Sequence, residues 1–196
     1  MAEGYAAPPR VMSNVKGAAI TARLRFVQER FGADALDRVL GAMPRGKRDV
    51  IDARILPQAW VPYDVFVDLN VAIDRVVGAG DLKLCFELGR FSAEVNLPSI
   101  YKLFYKLGNP LFIFNKASRL WKVHYDSGLL VPEEDGPKSV RLRIEDFEQP
   151  HRAHCLSVLG WAAKSIELSG GNVLRAEEER CRTLGDKSCE LALRWR

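Results

Sequence analysis

The spacing of apolar residues changes period near residue 122, and this change limits the fold class more than any other feature of the chain. Upstream the spacing is helical. Ile20, Leu24, Val27 and Phe31 fall on one face. Gly32 stops that helix, and Asp34 caps a second one carrying Leu36, Val39, Leu40 and Met43 up to Pro44. Pro62 stands at a first helical position before the stripe Phe66, Leu69, Ile73 and Val76, which Gly78-Ala-Gly80 closes. Two short helices are predicted over 84–95 and 99–107, and another over 110–121. Downstream the period is two. Val123 and Tyr125 alternate with polar neighbours into a turn at 126–128, and Val140, Leu142 and Ile144 alternate with Arg141 and Arg143. Residues 132–138 read as a hairpin loop. One helix over 155–169 ends at Gly170-Gly171, and strands over 172–180 and 188–195 close the chain, with Leu191, Leu193 and Trp195 on one face. The pattern predicts an α+β domain of N-terminal helices packed on a C-terminal antiparallel sheet with one interrupting helix.

The 196 residues suit a flexible lead-in over 1–15 and one domain over 16–196. A composition of 47% apolar and 28% charged residues supplies a sizeable core. The net charge of +4 is spread along the chain. The densest basic run, Arg45-Gly-Lys-Arg48, follows Pro44 and reads as a solvated loop, so no nucleic-acid face is expected. No stretch is apolar for long enough to span a bilayer, and the first ten residues lack the pattern of a signal peptide. The expected location is cytoplasmic, where thiols stay reduced and clustered cysteines are metal ligands more often than disulfides.

Three of the four cysteines lie in the last third, within the spacing C-x22-E-x2-C-x7-C formed by Cys155, Glu178, Cys181 and Cys189. Three thiolates and a carboxylate can form a closed tetrahedral zinc site, structural rather than catalytic because no position stays open, and the alternative is three ordinary buried thiols. It would staple the 155–169 helix to the terminal hairpin, whose turn centres on Gly185-Asp186. Strict strand alternation places Glu177 and Glu179 on the face of Cys181, and a bulge between them restores Glu178. His151 or His154 is a further candidate for the fourth ligand. Cys85, between Leu84 and Phe86, reads as an ordinary core residue.

Cys155, Gly160, the Glu167-Leu-Ser-Gly-Gly171 turn, Cys181, Gly185 and Cys189 resemble the C-terminal half of the vinyl-4-reductase-like domains. The same arrangement appears in the sensor domains of phenol- and xylene-responsive bacterial activators. The wider superfamily includes haem-based nitric-oxide sensors and the TRAPP subunits of Golgi tethering. The resemblance is specific over about residues 85–196. The whole chain also resembles a paralogous family expanded in myxobacteria, through the Gly17-to-Phe31 opening, Pro62-x3-Phe66 and Gly89-Arg90. The resemblance implies zinc held by Cys155, Glu178, Cys181 and Cys189, a fold of helices on an antiparallel sheet, and a homodimer.

Haem sensing needs a proximal histidine and a Tyr-x-Ser-x-Arg motif. Tyr125-Asp-Ser-Gly-Leu129 keeps the tyrosine and serine and lacks the arginine, while His124 is expected on the opposite face of a strand. Trp121, Tyr125 and Phe104 are the candidate walls of a ligand pocket. No paired carboxylates, Gly-x-Ser-x-Gly, phosphate loop or dinucleotide fingerprint is present, so no enzyme is expected. Two functions follow. One is a sensor domain that binds a small hydrophobic ligand and signals to a partner protein. The other is a protein-interaction adaptor with a filled core.

Overall fold

The computed structural model describes residues 13–105 and 110–196, without the side chains of 98–105 and 112. In chain order the elements are β1 (Asn14–Lys16), α1 (Gly17–Phe31), α2 (Ala33–Gly41), α3 (Arg45–Asp52), β2 (Trp60–Pro62), α4 (Tyr63–Val77), α5 (Leu84–Tyr105), α6 (Pro110–Phe114), α7 (Ala117–His124), β3 (Leu129–Glu134), β4 (Ser139–Glu145), α8 (Arg152–Leu168), β5 (Val173–Arg180) and β6 (Cys189–Trp195). The architecture is α+β, as the change of period requires. Its main sheet has the order β3-β4-β6-β5, and every neighbouring pair is antiparallel.

One face of that sheet is apolar and one is charged. Val140, Leu142, Ile144, Leu191, Leu193 and Trp195 are buried, and α8 packs against their side. On the outer face Arg141 meets Glu179 and Asp135, while Arg143 meets Glu133 and Glu145. Alternation at period two produces this division, since successive strand side chains point to opposite faces.

Helices α5 and α8 cross in backbone contact. A Cβ added at Gly89 would lie 1.9 Å from the Ser157 carbonyl oxygen, and one added at Gly160 would lie 1.9 Å from that of Phe86. Only glycine lets two helix backbones approach so closely. This crossing keeps α8 within reach of both the sheet and the N-terminal helices.

Several boundaries differ from expectation. Asn14–Lys16 form a strand with Trp60–Pro62 instead of continuing a lead-in; residues 1–12 lie outside the described residues. Gly32 takes the cap of α2 with φ at 84°, and Asp34 falls in the first turn. The basic run 45–48 opens helix α3. Lys47 there pairs with Asp64 at 3.1 Å and with Asp68, and Arg48 pairs with Asp52. Pro62 ends β2, immediately before the first helical residue of α4. Helix α5 runs unbroken through Pro98, because packing along α8 outweighs one lost backbone hydrogen bond. The segment 110–121 divides into α6 and α7, and α7 continues to His124, where a strand was expected. Tyr125 keeps only an isolated bridge to Val15. Pro132 lies within β3, an edge strand where its missing N–H is tolerated.

Candidate functional site

Helix α8 presents two unlike polar clusters within three residues. At its start His151 is the N-cap, its Nδ1 accepting the Ala153 N–H at 3.1 Å. Cys155 in the first turn then meets Cys181 and Cys189, and the three sulfurs lie within 4.8 Å of one another, all buried. The turn between β5 and β6 shapes this cluster. The Cys181 N–H donates to Asp186 Oδ2 at 2.8 Å and the Arg182 N–H donates to Cys189 Sγ at 3.4 Å. Gly185 supplies the left-handed backbone, with φ at 100°. Thr183 Oγ1 lies 3.0 Å from Cys181 Sγ.

The hydrogen bond from Cys155 and the contact with Thr183 pull Cys181 down to about 4, and Cys155 likewise lowers Cys189. Cys155 is pushed up, first by those two partners and then by burial. Three sulfurs this close together, with Cys181 and Cys189 shifted toward the thiolate, are the donor chemistry of a soft or borderline cation.

Glu178 and Cys181 share this cluster's side of the strand because of a β-bulge between them. The Glu178 Cα pairs with Leu191, then the register shifts, and Arg180 pairs with Glu190. Glu178 faces inward opposite the buried Leu191, and the shift, which skips Glu179, brings Cys181 to the same face, whereas Glu177 and Glu179 form surface ion pairs with Arg175 and Arg141. The Glu178 side chain is 6% exposed. Its Oε2 accepts from Arg152 Nε at 2.8 Å, and its buried Oε1 has no hydrogen-bond partner. Burial raises its pKa against the pull of Arg152, and the nearby Cys181 adds to the rise. The carboxylate lies outside the 4.8 Å set of sulfurs, so joining it takes a side-chain adjustment of Oε1. The donor set fits a tetrahedral zinc ion, whose sulfur ligands stand roughly 3.8 Å apart at Zn–S distances of about 2.3 Å.

The histidines fall elsewhere. His154 is not at the surface. It is 1% exposed, with its ring packed by Tyr63, Trp121, Tyr125 and Phe147, and burial lowers its pKa to about 3. Neither it nor His151 belongs to the sulfur cluster. Cys85 is fully buried in a small satellite of the core, and burial raises its thiol to about 12.

The second cluster borders a cavity of about 50 Å³, partly open to solvent, between α1, α5, α7, α8 and the start of β3. Trp121 and Tyr125 are both in its wall, stacked with ring centroids 4.3 Å apart. Trp121 Nε1 donates to the Ser127 carbonyl at 2.7 Å, which fixes the indole plane. The Phe104 side chain lies outside the described residues. Leu120, Leu130, Val158 and Trp161 complete the apolar lining, and Arg23, Ser157 and His124 supply polar groups. Burial, with the positive charges of Arg23 and Lys16, lowers His124 to about 4, so its imidazole is neutral.

Sequence reasoning missed Arg23, His124, Ser157 and Trp161 as wall residues. Arg23 carried a signal. It lies three residues after Ile20 and four before Val27, on the apolar stripe itself, as Asn70 lies between Phe66 and Ile73. His124 was misplaced because α7 outlasts its periodic signal.

No protein-family profile and no curated protein sequence matches the chain. Solved structures do. An H-NOX protein from S. oneidensis in the iron(II)–nitric oxide state matches at 11% identity with a TM-score of 0.72, covering 92% of this chain and 99% of its own. An unliganded iron(II) H-NOX protein from K. algicida gives 13% and 0.70, covering 92% and 96%. An oxygen-binding H-NOX domain related to soluble guanylate cyclases gives 13% and 0.64, covering 92% and 95%.

The fold is that of the H-NOX domains.

The likeness is in the fold alone. The residues here do not fit a haem. Its macrocycle needs a pocket in the range of roughly 300–1,000 Å³, against the cavity of about 50 Å³ found here. The stacked Trp121–Tyr125 pair and the Arg23 side chain occupy the surrounding space. Leu129 also stands where the tyrosine–serine motif would carry its arginine.

Proposed function

We propose that this chain is a sensor-type domain without haem, in which a small ligand enters the cavity beside Trp121 and Tyr125 and a zinc ion fastens α8 to the β5–β6 hairpin. The cavity carries the reading. It has apolar walls, a rigid aromatic pair and a few polar groups, and it lies where four helices and the sheet meet. The structural neighbours include nitric-oxide and oxygen complexes, which makes ligand sensing the parallel of interest. At about 50 Å³ the space suits a molecule smaller than benzene, for which an engineered cavity of about 150 Å³ serves.

Zinc would be held by Cys155, Cys181 and Cys189, with Glu178 Oε1 as the fourth donor. Bound there, it supplies structural cross-linking and no open coordination position. Arg152 would position Glu178, and the Arg182 N–H would steady the Cys189 thiolate. The output would pass to a partner protein, and a homodimer remains part of the proposal through the family resemblance.

The adaptor reading called for a wide apolar face. The outer sheet surface instead carries ion pairs among Arg141, Arg143, Glu133, Glu145 and Glu179, which favours the sensor.

Two measurements test the proposal. Elemental mass spectrometry of protein purified without added metal should give about one zinc per chain; well-folded protein without metal would remove the zinc. Thermal-shift screening with small apolar molecules should raise the melting temperature of the wild type but not of Ala117→Leu, which fills the cavity. Equal shifts in both proteins would remove the ligand site.

A further inference from the structure

Among the described residues, one cation in the cavity has no anion beside it. Arg23 extends from the second turn of α1 and is 3% exposed. Its Nε donates to Asn70 Oδ1 at 3.1 Å, its Nη1 to the Ala19 carbonyl at 3.3 Å, and its Nη2 to Ser157 Oγ. All three acceptors are neutral. One face of the guanidinium lies over the Phe66 ring, 4.7 Å from its centroid. A guanidinium carries five N–H bonds, so two remain without an acceptor, and the group borders the cavity.

The other cations set the contrast. Arg90 forms a two-pronged pair with Glu167, Lys47 sits between Asp64 and Asp68, and Arg152 holds Glu178. Each of these is more exposed than Arg23 and each has a carboxylate. The electrostatic neighbours of Arg23 are Tyr125 and Cys85, both neutral at physiological pH. Asp74, buried like Arg23, accepts the Leu82 and Leu84 N–H groups instead. The positions whose side chains are not described contain a single carboxylate, Glu3. Burying a cation without a counter-charge is costly unless something completes its shell.

We propose that the cavity takes a small organic anion, a short monocarboxylate on an apolar body smaller than a benzene ring, with its carboxylate on Arg23 and its body against Trp121, Tyr125 and Val158. The proposal rests on the ligand-binding reading above and names its class. A carboxylate suits the site for two reasons. Its plane and two oxygens match the remaining guanidinium N–H groups. One cation balances a single negative charge, whereas a phosphate monoester brings nearly two into a wall otherwise made of neutral and apolar groups.

The test is calorimetric titration of the full chain, in a buffer free of carboxylates, with acetate, propionate and butyrate and with the corresponding amides as neutral isosteres. At the best-fitting size the acid should bind at least tenfold more tightly than its amide. In Arg23→Gln the two should come within threefold of each other, and Arg23→Lys should keep part of the preference. If the Arg23 variants do not fold, the acid-to-amide ratio of the wild type decides alone. Amides binding as tightly as acids would overturn the anion assignment and leave a neutral ligand in the cavity. Binding of neither series would overturn the anion assignment together with the small-molecule reading. A preference unchanged in folded Arg23→Gln would remove Arg23 as the seat of the carboxylate.

Discussion

Cys155 and Ser157 stand two residues apart on α8, yet they open onto sites with opposite deficits. At Cys155 the protein concentrates donor atoms: three sulfurs lie within 4.8 Å of one another, with an unpartnered carboxylate oxygen of Glu178 at their edge. At Ser157 it provides N–H groups in excess, because Arg23 is buried with only neutral acceptors. The first site is closed by chain segments on three sides and asks for a small soft cation. The second borders a void and asks for an anion with a body. One helix can serve both because consecutive residues point about 100° apart, so neighbouring positions face different partners.

The largest test strikes what the two sites share. Gly160→Ala drives a methyl group into the Phe86 carbonyl and should cost about 3 kcal/mol or more. Thermal denaturation should show the loss, and zinc content and ligand binding should fall together. A small effect would mean that α5 and α8 separate easily and that the sites are not coupled through the helix. Cys181→Ser comes next. It should abolish zinc binding and lower stability by several kcal/mol, while carboxylate affinity in the remaining folded protein changes less than threefold by titration. Glu178→Gln should weaken zinc about 10- to 100-fold in a competition assay with a chromogenic chelator, which separates a ligand from a bystander held by Arg152.

The smallest effect concerns pH. His124 is held neutral in the fold, with a pKa lowered to about 4, whereas in the unfolded chain it titrates near 6.5. The unfolded state therefore takes up the proton first as pH falls. The stability from neutral His124 is full above about pH 6.5 and is lost progressively toward pH 4. Replacing it by Leu should flatten denaturant-derived stability between pH 7 and pH 5 by about 1 kcal/mol, after allowance for its partial exposure. An unchanged slope would show that other groups set the acid response.

Much of this was legible in the sequence, and the rest was hidden for identifiable reasons. The alternation of Val140, Leu142 and Ile144 with arginines fixed both faces of β4, and the helical stripes of α1 and α4 followed from spacing. Glu178 was readable only conditionally, since a bulge leaves no mark in composition. Pro98 hid the continuity of α5, because the tertiary contact with α8 overrides a local breaker. The end of α7 was read as strand because three residues cannot distinguish the two periods. The anionless Arg23 needed only the question of why a charge sits on an apolar stripe.

The paired approach of Gly89 to Ser157 and of Gly160 to Phe86 also restricts how the domain can move. Two backbone carbonyls seated in two glycine notches act as a hinge pin, not a rail. Sliding α8 along α5 by one residue would set a side chain against a carbonyl, whereas rocking about the crossing keeps both notches filled. A ligand that widens the cavity near Val158 and Trp161 would therefore tilt α8 about that pin, and the tilt would be felt at its other arm, where Cys155 faces the closing hairpin.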